Sequence, residues 1–491
     1  MMNPVLLAID EGTTNAKAAC IDGKGQILAR GSTSLKVTHP RPAWTEQDPR
    51  EIIEGVRAAI AQATASIDGP IIGLGISNQR ESVLIWERAT GRPLSPVVVW
   101  QCRRSEEICE QLAQSQDIAT IQEKTGLPID PLFPAAKIRW LLDALPAGQA
   151  RAENGEICIG TIDAWLVWHL SGGRAFVTDQ SNAARTQLCN IHTQQWDEEL
   201  CRIFTVPIHA LPQICPSSGV RAETSGFTGL PDGLPILSQV GDSHAALYGQ
   251  GGFVPGVIKA TYGTGSSLMT PVPALRAGDY RLAQTIAWHD GELSYALEGN
   301  ITHTGAGADY MGQLIGVRDT SELAELARQT KSNDGVYFVP ALSGLGAPHW
   351  QTRARGLITG LTDSAGPEHL ARAALEAIAY QVADVFALME EMSGESLDCL
   401  LVDGGPTRND WLMQFQANVI GRPVVRTTIA EVSALGAGYL AGKALGWWPS
   451  RQQLAALDRR AEKIFPDTGV TAAAEGYQGW QRAVQQTLFD R

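Results

Sequence analysis

The sequence predicts an α/β protein of two domains, each built on a mixed β-sheet. Residues 6–29 form short apolar runs separated by turns that contain Gly and Asp, which is typical of a β-meander. An amphipathic helix and a further apolar strand follow, as at the start of an α/β domain. Residues 257–268 repeat the opening strand–turn–strand unit, and 491 residues exceed one typical domain. We therefore predict an N-terminal domain of residues 1–247 and a C-terminal domain of residues 248–491.

The composition is that of a folded globular protein, with 44% hydrophobic and 19% charged residues. A net charge of −13 argues against a nucleic-acid backbone or an anionic membrane as a partner. The eight cysteines are scattered and form no CxxC pair, as expected for reduced thiols. The N-terminal residues lack the pattern of a signal peptide, and no apolar segment has the length needed to cross a membrane. These features predict a cytoplasmic protein.

The first turn carries a candidate site for phosphate and metal. Asp10 ends an apolar run and is followed by Gly12, Thr13 and Thr14, so a carboxylate lies beside small and hydroxyl residues. Glycine lets the backbone approach an anion closely, and successive turn N–H groups can form an anion-binding concavity. An ordinary hairpin turn also favours Asp and Gly. These residues alone leave both interpretations open.

The rest of the N-terminal half alternates helical and extended patterns. Asp48 before Pro49 is a strong helix start, and apolar side chains in residues 52–63 fall on one helical face. Strands are predicted for the apolar residues 71–77, 82–86 and 97–100. A helix is predicted for residues 163–170 and a polar loop for residues 178–186.

Predicted strands on either side of the domain boundary end in polar turns. The strand at residues 235–240 leads to Asp242 and a helical continuation, and the hairpin at residues 257–268 contains a Gly-Thr-Gly turn. The longest helical pattern covers residues 367–392 and stops at Ser393-Gly394. A short strand at residues 400–402 meets Gly404 and Gly405, and residues 409–420 predict a helix that Gly421 ends.

The ordered motifs of the chain resemble those of the FGGY carbohydrate kinases, a sugar-kinase branch of the actin/hexokinase-like ATPases. The similarity runs from about residue 7 to residue 448 and is greatest to the glycerol kinases within that family. It rests on IDEGTTNAKA, ISNQRES, VVWQCRRS, GDSHAALYGQ, TYGTGS, YALEG, SGLGAPHW, residues 403–416 and SALGAGYLAG. The resemblance implies an actin/hexokinase-like fold with two ribonuclease H-like cores and ATP in the cleft between the domains. The N-terminal domain would hold the acceptor and the metal, and the C-terminal domain would bind the nucleotide.

Phosphoryl transfer to an alcohol needs a held triphosphate, a magnesium ion, a positioned hydroxyl and a base for its proton. The resemblance implies that Asp10 and Asp242 bind Mg²⁺. It also implies that three turns contact ATP, through Gly12, Thr13, Thr14, Gly263, Thr264, Gly265, Gly404, Gly405 and Asn409.

The predicted general base is Asp242, because a carboxylate at the end of a strand at the domain junction can accept the proton of the reacting hydroxyl. On its own, Asp242 is more simply explained as a helix N-cap. The adjacent donor-only Arg80 and acceptor-only Glu81 suit a diol, although such a pair is more commonly a surface ion pair. Trp100 would pack against the carbon face of the substrate, or else be a core tryptophan.

Four positions depart from the glycerol kinase pattern. Glu11 replaces a Gln, Leu132 a hydroxyl-binding Tyr, Ser243 the Gln after the catalytic Asp, and Ser267 a Phe that walls the acceptor pocket. The last three changes remove side-chain bulk at predicted substrate-binding positions, while the other predicted site residues are kept. We therefore predict an active kinase with an enlarged pocket for a longer polyol or an open-chain sugar.

Other interpretations stay open at this stage. The first is a true glycerol kinase. An actin- or chaperone-like ATPase would share the core but would need neither the Arg80–Glu81 pair nor Asp242. A sugar-sensing regulator normally adds a DNA-binding helix-turn-helix, for which we expect no room before the first strand.

The predicted partner is a small polyol or sugar, with no nucleic acid and no membrane. A homo-oligomer, a dimer or a tetramer, is compatible with the resemblance. Residues 226–233 contain no basic residue, so we expect no inhibition by a sugar bisphosphate at that loop.

Overall fold

The computed structural model describes residues 3–254, 256–457, 459 and 461–489. Two large mixed sheets organise these residues, one from each half of the chain, as predicted. The strands are β1 (Val5–Glu11), β2 (Asn15–Asp22), β3 (Ile27–Ser34), β4 (Glu46–Gln47), β5 (Ile71–Asn78), β6 (Val83–Glu87), β7 (Val97–Val98), β8 (Ile157–Thr161), β9 (Val177–Asp179), β10 (Cys189–Asn190), β11 (Gln195–Trp196), β12 (Gln213–Cys215), β13 (Ser218–Glu223), β14 (Pro235–Gly241), β15 (Val257–Tyr262), β16 (Ser266–Val272), β17 (Ala283–His289), β18 (Leu293–Ile301), β19 (Tyr337–Val339), β20 (Leu357–Thr359), β21 (Cys399–Gly404), β22 (Val424–Thr427) and β23 (Ala461–Ile464).

Helices connect these strands and cover the two large sheets. They are α1 (Pro49–Thr64), α2 (Glu106–Ala113), α3 (Ile118–Thr125), α4 (Pro134–Ala144), α5 (Gly148–Glu153), α6 (Ile162–Leu170), α7 (Gln180–Ala183), α8 (Glu198–Ile203), α9 (Asp242–Gly249), α10 (Gly305–Leu314), α11 (Thr320–Ala327), α12 (Pro367–Ser393), α13 (Asp410–Ile420), α14 (Val432–Ala444), α15 (Arg451–Ala455) and α16 (Val470–Phe489). Two short 3-10 helices add Ile208–Ala210 and Gly405–Arg408.

The first sheet has six strands in the order β13-β14-β5-β1-β2-β3. Strands β1, β2 and β3 form the predicted antiparallel meander. Strands β1, β5 and β14 run parallel, with Asp10 aligned to Ser77 and Gly241 aligned to Asn78. Since parallel strands end at the same edge of a sheet, the residues that follow β5 and β14 meet beside Asp10.

The second sheet repeats this arrangement. Its order is β17-β18-β16-β15-β21-β22-β23, with an antiparallel β15–β16 hairpin and parallel β15, β21 and β22. The turn after β15 and the end of β21 therefore lie at one edge, because Tyr262 aligns with Gly404. The repeated strand–turn–strand unit predicted from the sequence is confirmed.

Helix packing follows the apolar spacing of the sequence. Helix α1 starts with Pro49, and the Asp48 carboxylate accepts a hydrogen bond from the Arg50 N–H at 2.8 Å. It buries Ile52, Val56 and Ile60 against the first sheet. The long helix α12 is largely buried beside the second sheet and ends at a left-handed Gly394.

Helix α14 comes from the C-terminal half but packs on the first sheet. The Ser238 hydroxyl of β14 donates to the Ala437 carbonyl at 2.8 Å, and the Ser218 hydroxyl of β13 donates to the Leu440 carbonyl at 2.8 Å. A Cβ atom at Gly436 would lie 1.8 Å from the carbonyl oxygen of Ala245, so the backbones of α14 and α9 touch. Glycine is required there because any side chain would separate the two helices.

Three local predictions were wrong. The strand predicted at residues 97–100 is only Val97–Val98, and Trp100 lies in the following turn. Residues 178–186 are not a plain loop, because Val177–Asp179 pairs with Gln213–Cys215 and Gln180–Ala183 is helical. The N-cap interpretation of Asp242 fails, because Gly241 is the N-cap of α9 and Asp242 is its first residue.

The boundary predicted between residues 247 and 248 falls inside α9, and its position stays a prediction.

All eight cysteines are free thiols. Within the described ranges, no helix combines the length and the apolar character that a membrane crossing requires.

We predict that Gly436→Ala lowers the free energy of unfolding by about 1–3 kcal/mol, the usual cost of overpacking, because the new methyl group meets backbone rather than a movable side chain. Gly312→Ala in α10 is the matched control, since its Cβ would meet nothing closer than 3.9 Å. The control should be neutral or stabilise by about 0.5–1 kcal/mol through helix propensity. Urea unfolding measures both variants, and equal effects would contradict the α9–α14 contact.

Candidate active site

The candidate site forms where the parallel strands of the first sheet end. Asp10 lies near the end of β1, Arg80 and Glu81 follow β5, and Asp242 follows β14. The strand register brings these ends together, since β5 lies between β1 and β14. Ligand sites of α/β sheets commonly lie beyond the carboxyl ends of parallel strands.

Asp10 is nearly buried and its carboxylate accepts a hydrogen bond from the Ser77 hydroxyl at 2.9 Å. Burial raises its pKa, the charge of Lys17 opposes that rise, and the nearby Asp242 carboxylate adds to it. A cation bound between these two carboxylates would relieve their mutual repulsion.

Arg80 is the centre of a buried ion cluster. Its Nε donates to Asp242 Oδ1 at 2.9 Å, its Nη1 to Glu298 Oε1 at 2.6 Å, and its Nη2 to the Ser243 hydroxyl at 3.1 Å. Burial alone would lower the pKa of Arg80, but the carboxylates of Glu298 and Glu81 raise it. The guanidinium therefore orients Asp242 and ties it to the second sheet.

Arg185 completes this cluster from the segment predicted as a loop. It is fully buried, its Nε donates to Glu81 Oε1 at 2.7 Å, and its Nη1 lies 2.7 Å from Glu298 Oε2. Glu298, on β18, thus pairs with two arginines of the N-terminal half. Burial would raise the pKa of Glu298, but the charges of Arg185 and Arg80 hold it well below its ordinary value.

Asp242 differs from the other acids of the cluster in its access to solvent. Its side chain is 35% exposed, whereas those of Glu81 and Glu298 are 5% and 0% exposed. Among the described residues, its hydrogen bonds come from Arg80 Nε and the Ser243 N–H, and both are accepted by Oδ1. No hydrogen bond from the described residues reaches the other oxygen, Oδ2.

Two of the positions that depart from the glycerol kinase pattern contact this cluster directly. Ser243 accepts from Arg80, and the Ser267 hydroxyl donates to Glu298 Oε1 at 2.8 Å. Leu132 is half-buried and packs with Leu127, Phe133 and Ala283. Phe133, its neighbour in the chain, has its ring 5.1 Å from the Arg185 guanidinium.

Glu11, the fourth departure, lies in a separate buried polar group. Its Oε1 accepts from Gln79 Nε2 at 3.0 Å, and Oε2 is buried without a partner among the described residues. Burial raises the pKa of Glu11 to about 8. Burial therefore favours the neutral acid form of Glu11.

The same polar group fixes the first turn and joins it to Trp100. Gln47 Nε2 donates to the Thr13 carbonyl at 2.8 Å, and Gln47 in turn accepts from Gln79 at 2.8 Å. The Trp100 indole donates to the Thr13 hydroxyl at 2.9 Å. The Gly12 N–H closes the turn on the Asn15 carbonyl at 3.0 Å, and Thr14 is exposed.

The second predicted ATP-binding turn, residues 263–265, is held by hydrogen bonds from residues of the C-terminal half. The carbonyls of Gly263 and Thr264 accept from the N–H groups of Gly305 and Thr304, each at 3.0 Å. A Cβ at Gly265 would lie 2.4 Å from the Ile301 carbonyl oxygen, so glycine is needed for this close approach.

The third predicted ATP-binding turn lies at the end of β21. Gly404 has φ +100° and a Cβ there would lie 1.9 Å from the Tyr262 carbonyl oxygen, whereas a Cβ at Gly405 would meet open space. Asn409 caps α13 by accepting from the Leu412 N–H at 3.2 Å. Gly404 therefore allows β21 to lie close against β15, and Gly405 leaves room above the turn.

The carboxylates of the candidate site suit magnesium better than a metal ion whose ligands all come from the protein. Within the described residues, no group of three or more His, Cys, Asp or Glu side chains is arranged to hold a metal ion. Magnesium usually keeps several waters and binds one or two carboxylates plus substrate phosphates. Asp10 and Asp242 supply such carboxylates.

Sequence patterns did not identify Glu298, Arg185 and Gln79 as residues of the candidate site. Glu298 gave a usable signal, because an acidic residue inside the apolar strand LSYALEGNI requires a buried partner. Arg185 gave none, because its partners come from distant segments.

Two family models match most of the chain. The N-terminal domain model of the FGGY family of carbohydrate kinases matches residues 5–249, and the C-terminal domain model matches residues 258–445.

Individual proteins match along their whole length. An apulose kinase from Pectobacterium atrosepticum is 55% identical over 99% of this chain and 98% of that protein. A glycerol kinase from Stenotrophomonas maltophilia is 45% identical over 98% of both chains. The crystal structure of Plasmodium falciparum glycerol kinase with ADP superposes with a TM-score of 0.91 at 32% identity, covering 99% of both chains. The predicted actin/hexokinase-like fold is thereby confirmed.

We predict that Glu298→Gln lowers the free energy of unfolding by about 3–5 kcal/mol, because it leaves two buried guanidinium groups without their shared negative charge. Glu292→Gln is the matched control, since that exposed side chain pairs with Arg451 at 3.4 Å and should cost at most about 1 kcal/mol. Urea unfolding at neutral pH measures both. A loss at Glu298 no larger than at Glu292 would show that the cluster does not join the two halves.

Proposed function

The chain belongs to the FGGY family of carbohydrate kinases, and on that premise we propose that it phosphorylates a hydroxyl of an open-chain sugar or polyol larger than glycerol. Sugar or polyol kinase activity with ATP as the phosphoryl donor is the activity of this family. The acceptor and the roles of single residues are the proposed part.

The single observation that carries the site assignment is the exposure of Asp242 within an otherwise buried cluster. A general base must reach the proton that it abstracts, and Asp242 is held by Arg80 while its side chain is open to solvent. We propose that Asp242 accepts the proton of the attacking hydroxyl at Oδ2.

Arg80 and Glu81 are proposed to position the acceptor. Both side chains are held by ion pairs with Glu298 or Arg185, so their orientation is fixed before the acceptor arrives. Preorganised donors and acceptors place the hydroxyl without the cost of ordering flexible side chains. Trp100 would border this space through its link to Thr13.

The glycine turns are proposed to hold the nucleotide. Backbone N–H groups of Thr13 and Thr14, beside Gly12, would face its phosphates from one domain, and those of Thr264 and Gly265, beside Gly263, from the other. Gly404, Gly405 and Asn409 would border the nucleoside, since Gly405 faces open space. The structure of the Plasmodium relative contains ADP, which supports nucleotide binding by this fold.

Magnesium is proposed to bind Asp10 and Asp242 together with the phosphates. When bound, it would neutralise charge on the transferring phosphoryl group. Asp10 is kept in place for this by the Ser77 hydroxyl. We also propose a cytoplasmic location, and leave a dimer or a tetramer open.

The proposed acceptor rests on the small residues around the ion cluster. Ser243 and Ser267 present only hydroxyl groups where the glycerol kinase pattern has Gln and Phe, and Leu132 lacks the hydroxyl of Tyr. The similarity to an apulose kinase at 55% identity makes apulose the first candidate.

We predict that kcat/KM for apulose exceeds that for glycerol by at least about tenfold, because a pocket with too much room binds the smaller substrate poorly. A coupled assay of ADP release with apulose, xylulose and glycerol measures this. The highest kcat/KM for glycerol would establish the glycerol kinase alternative, and ATP hydrolysis without a phosphorylated product would favour an actin- or chaperone-like ATPase. Combining Ser243→Gln with Ser267→Phe should reduce the preference for apulose over glycerol.

We predict that Asp242→Asn lowers kcat by about 10²–10⁴-fold, because the amide cannot accept the hydroxyl proton. The dissociation constant of ADP, measured without magnesium, should change little, since the nucleotide turns lie elsewhere. Single-turnover kinetics and ADP titration measure the two effects. A variant that keeps its turnover would remove Asp242 from the role of base.

A further inference from the structure

We propose that Lys137 is a positioning residue for the acceptor, whose buried ammonium group fixes the backbone of three separate acceptor-side segments. The proposal rests on the proposed function, because it takes Glu81, Trp100 and Leu132 as the walls of the acceptor site.

The contacts of Lys137 converge from three parts of the chain. Its Nζ donates to the carbonyl oxygens of Leu132 at 2.7 Å, Glu81 at 3.0 Å and Trp100 at 3.5 Å. An ammonium group has three donors, so each N–H can serve one carbonyl. The three carbonyls follow β5, follow β7 and precede α4, and the first two of these segments adjoin the antiparallel pair of Val83 with Val98.

Glu81 is the segment that most needs such an anchor. Its backbone has φ +60°, a left-handed conformation that is costly for a residue with a side chain and persists only when its surroundings hold it. Arg185 holds the carboxylate of Glu81, and Lys137 holds its carbonyl. The two cations together fix both ends of the residue that we assign to the acceptor hydroxyls.

A lysine is a costly residue at this position. Lys137 is fully buried as the fourth residue of α4, and the start of a helix disfavours cations. A buried ammonium also loses its hydration, a cost that is offset only where its donors find acceptors. The three carbonyls supply those acceptors, and an apolar side chain at position 137 would leave them without this donor.

Lys137 should also make acceptor binding depend on pH. Burial lowers its pKa to about 8, although the facing groups Glu81, Cys102, Asp130 and Cys109 oppose that shift. Above that pH the neutral amine keeps two donors for three carbonyls. The acceptor KM should therefore rise as the pH passes through about 8.

The first test is Lys137→Met, which keeps the length of the side chain and removes its donors. We expect the acceptor KM to rise about tenfold or more while the KM for ATP stays within about twofold, because the ATP turns do not contact Lys137. Arg139→Met is the matched control on the same helix, since Arg139 donates to the carbonyl of Thr205 and not to an acceptor-side segment. Equal changes in both KM values, or equal effects of the two variants, would overturn the proposal.

The second test is the pH profile of the wild-type enzyme, which needs no folded variant at position 137. The acceptor KM should rise between about pH 7 and about pH 9.5, and Lys137→Met should lose this rise. Glu11 titrates in the same range, so the profile is repeated with Glu11→Gln, which should keep the rise. A flat wild-type profile, or a rise abolished by Glu11→Gln, would overturn the proposal.

These tests do not depend on which acceptor proves best. They use whichever of apulose, xylulose or glycerol gives the highest kcat/KM. A wrong assignment of the acceptor would appear in that comparison, whereas a wrong role for Lys137 would appear only in the KM split and the pH profile.

Discussion

The ion pairs between Glu298 and the two arginines, Arg80 and Arg185, are the interaction on which the site depends. Glu298 lies on β18 of the second sheet, and both arginines come from the N-terminal half, so the pairs cross between the domains. Because all three side chains are buried, removing one charge leaves another uncompensated, and the cluster holds only as a whole. Arg80 also donates a hydrogen bond to Asp242, and this bond fixes the partly exposed carboxylate toward the cleft.

The sequence predicted what depends on local pattern. The meander, the α1 start at Asp48-Pro49, the second hairpin and the α12 stop at Gly394 follow from turn residues and apolar spacing, and all are present. The sequence did not predict the features that depend on residues far apart in the chain. The carbonyls around Lys137 and the carboxylates around Arg185 come from segments far apart in the chain. The short β9 and α7 were missed because their stability comes from neighbouring strands and a buried Asp179, not from a repeating pattern.

The proposed acceptor side and the proposed nucleotide side are built by different means. Glycine and backbone hydrogen bonds shape the turns at Gly12, Gly263 and Gly404, an arrangement that suits phosphates and a nucleoside common to many kinases. Charged side chains and two serines shape the acceptor side. The proposed acceptor contacts at Ser243 and Ser267 therefore depend on side chains, whereas the proposed nucleotide contacts depend on backbone geometry.

Helix α14 has a consequence for how the protein is made. It supplies one covering layer of the first sheet, with its backbone against α9, although it is separated from β1 by most of the chain. The first sheet cannot bury that face until residues 432–444 have left the ribosome. The N-terminal domain therefore does not mature during synthesis ahead of its partner, as independent domains generally do. The side of the first sheet that faces α14 thus reaches its native packing only once residues 432–444 are in place.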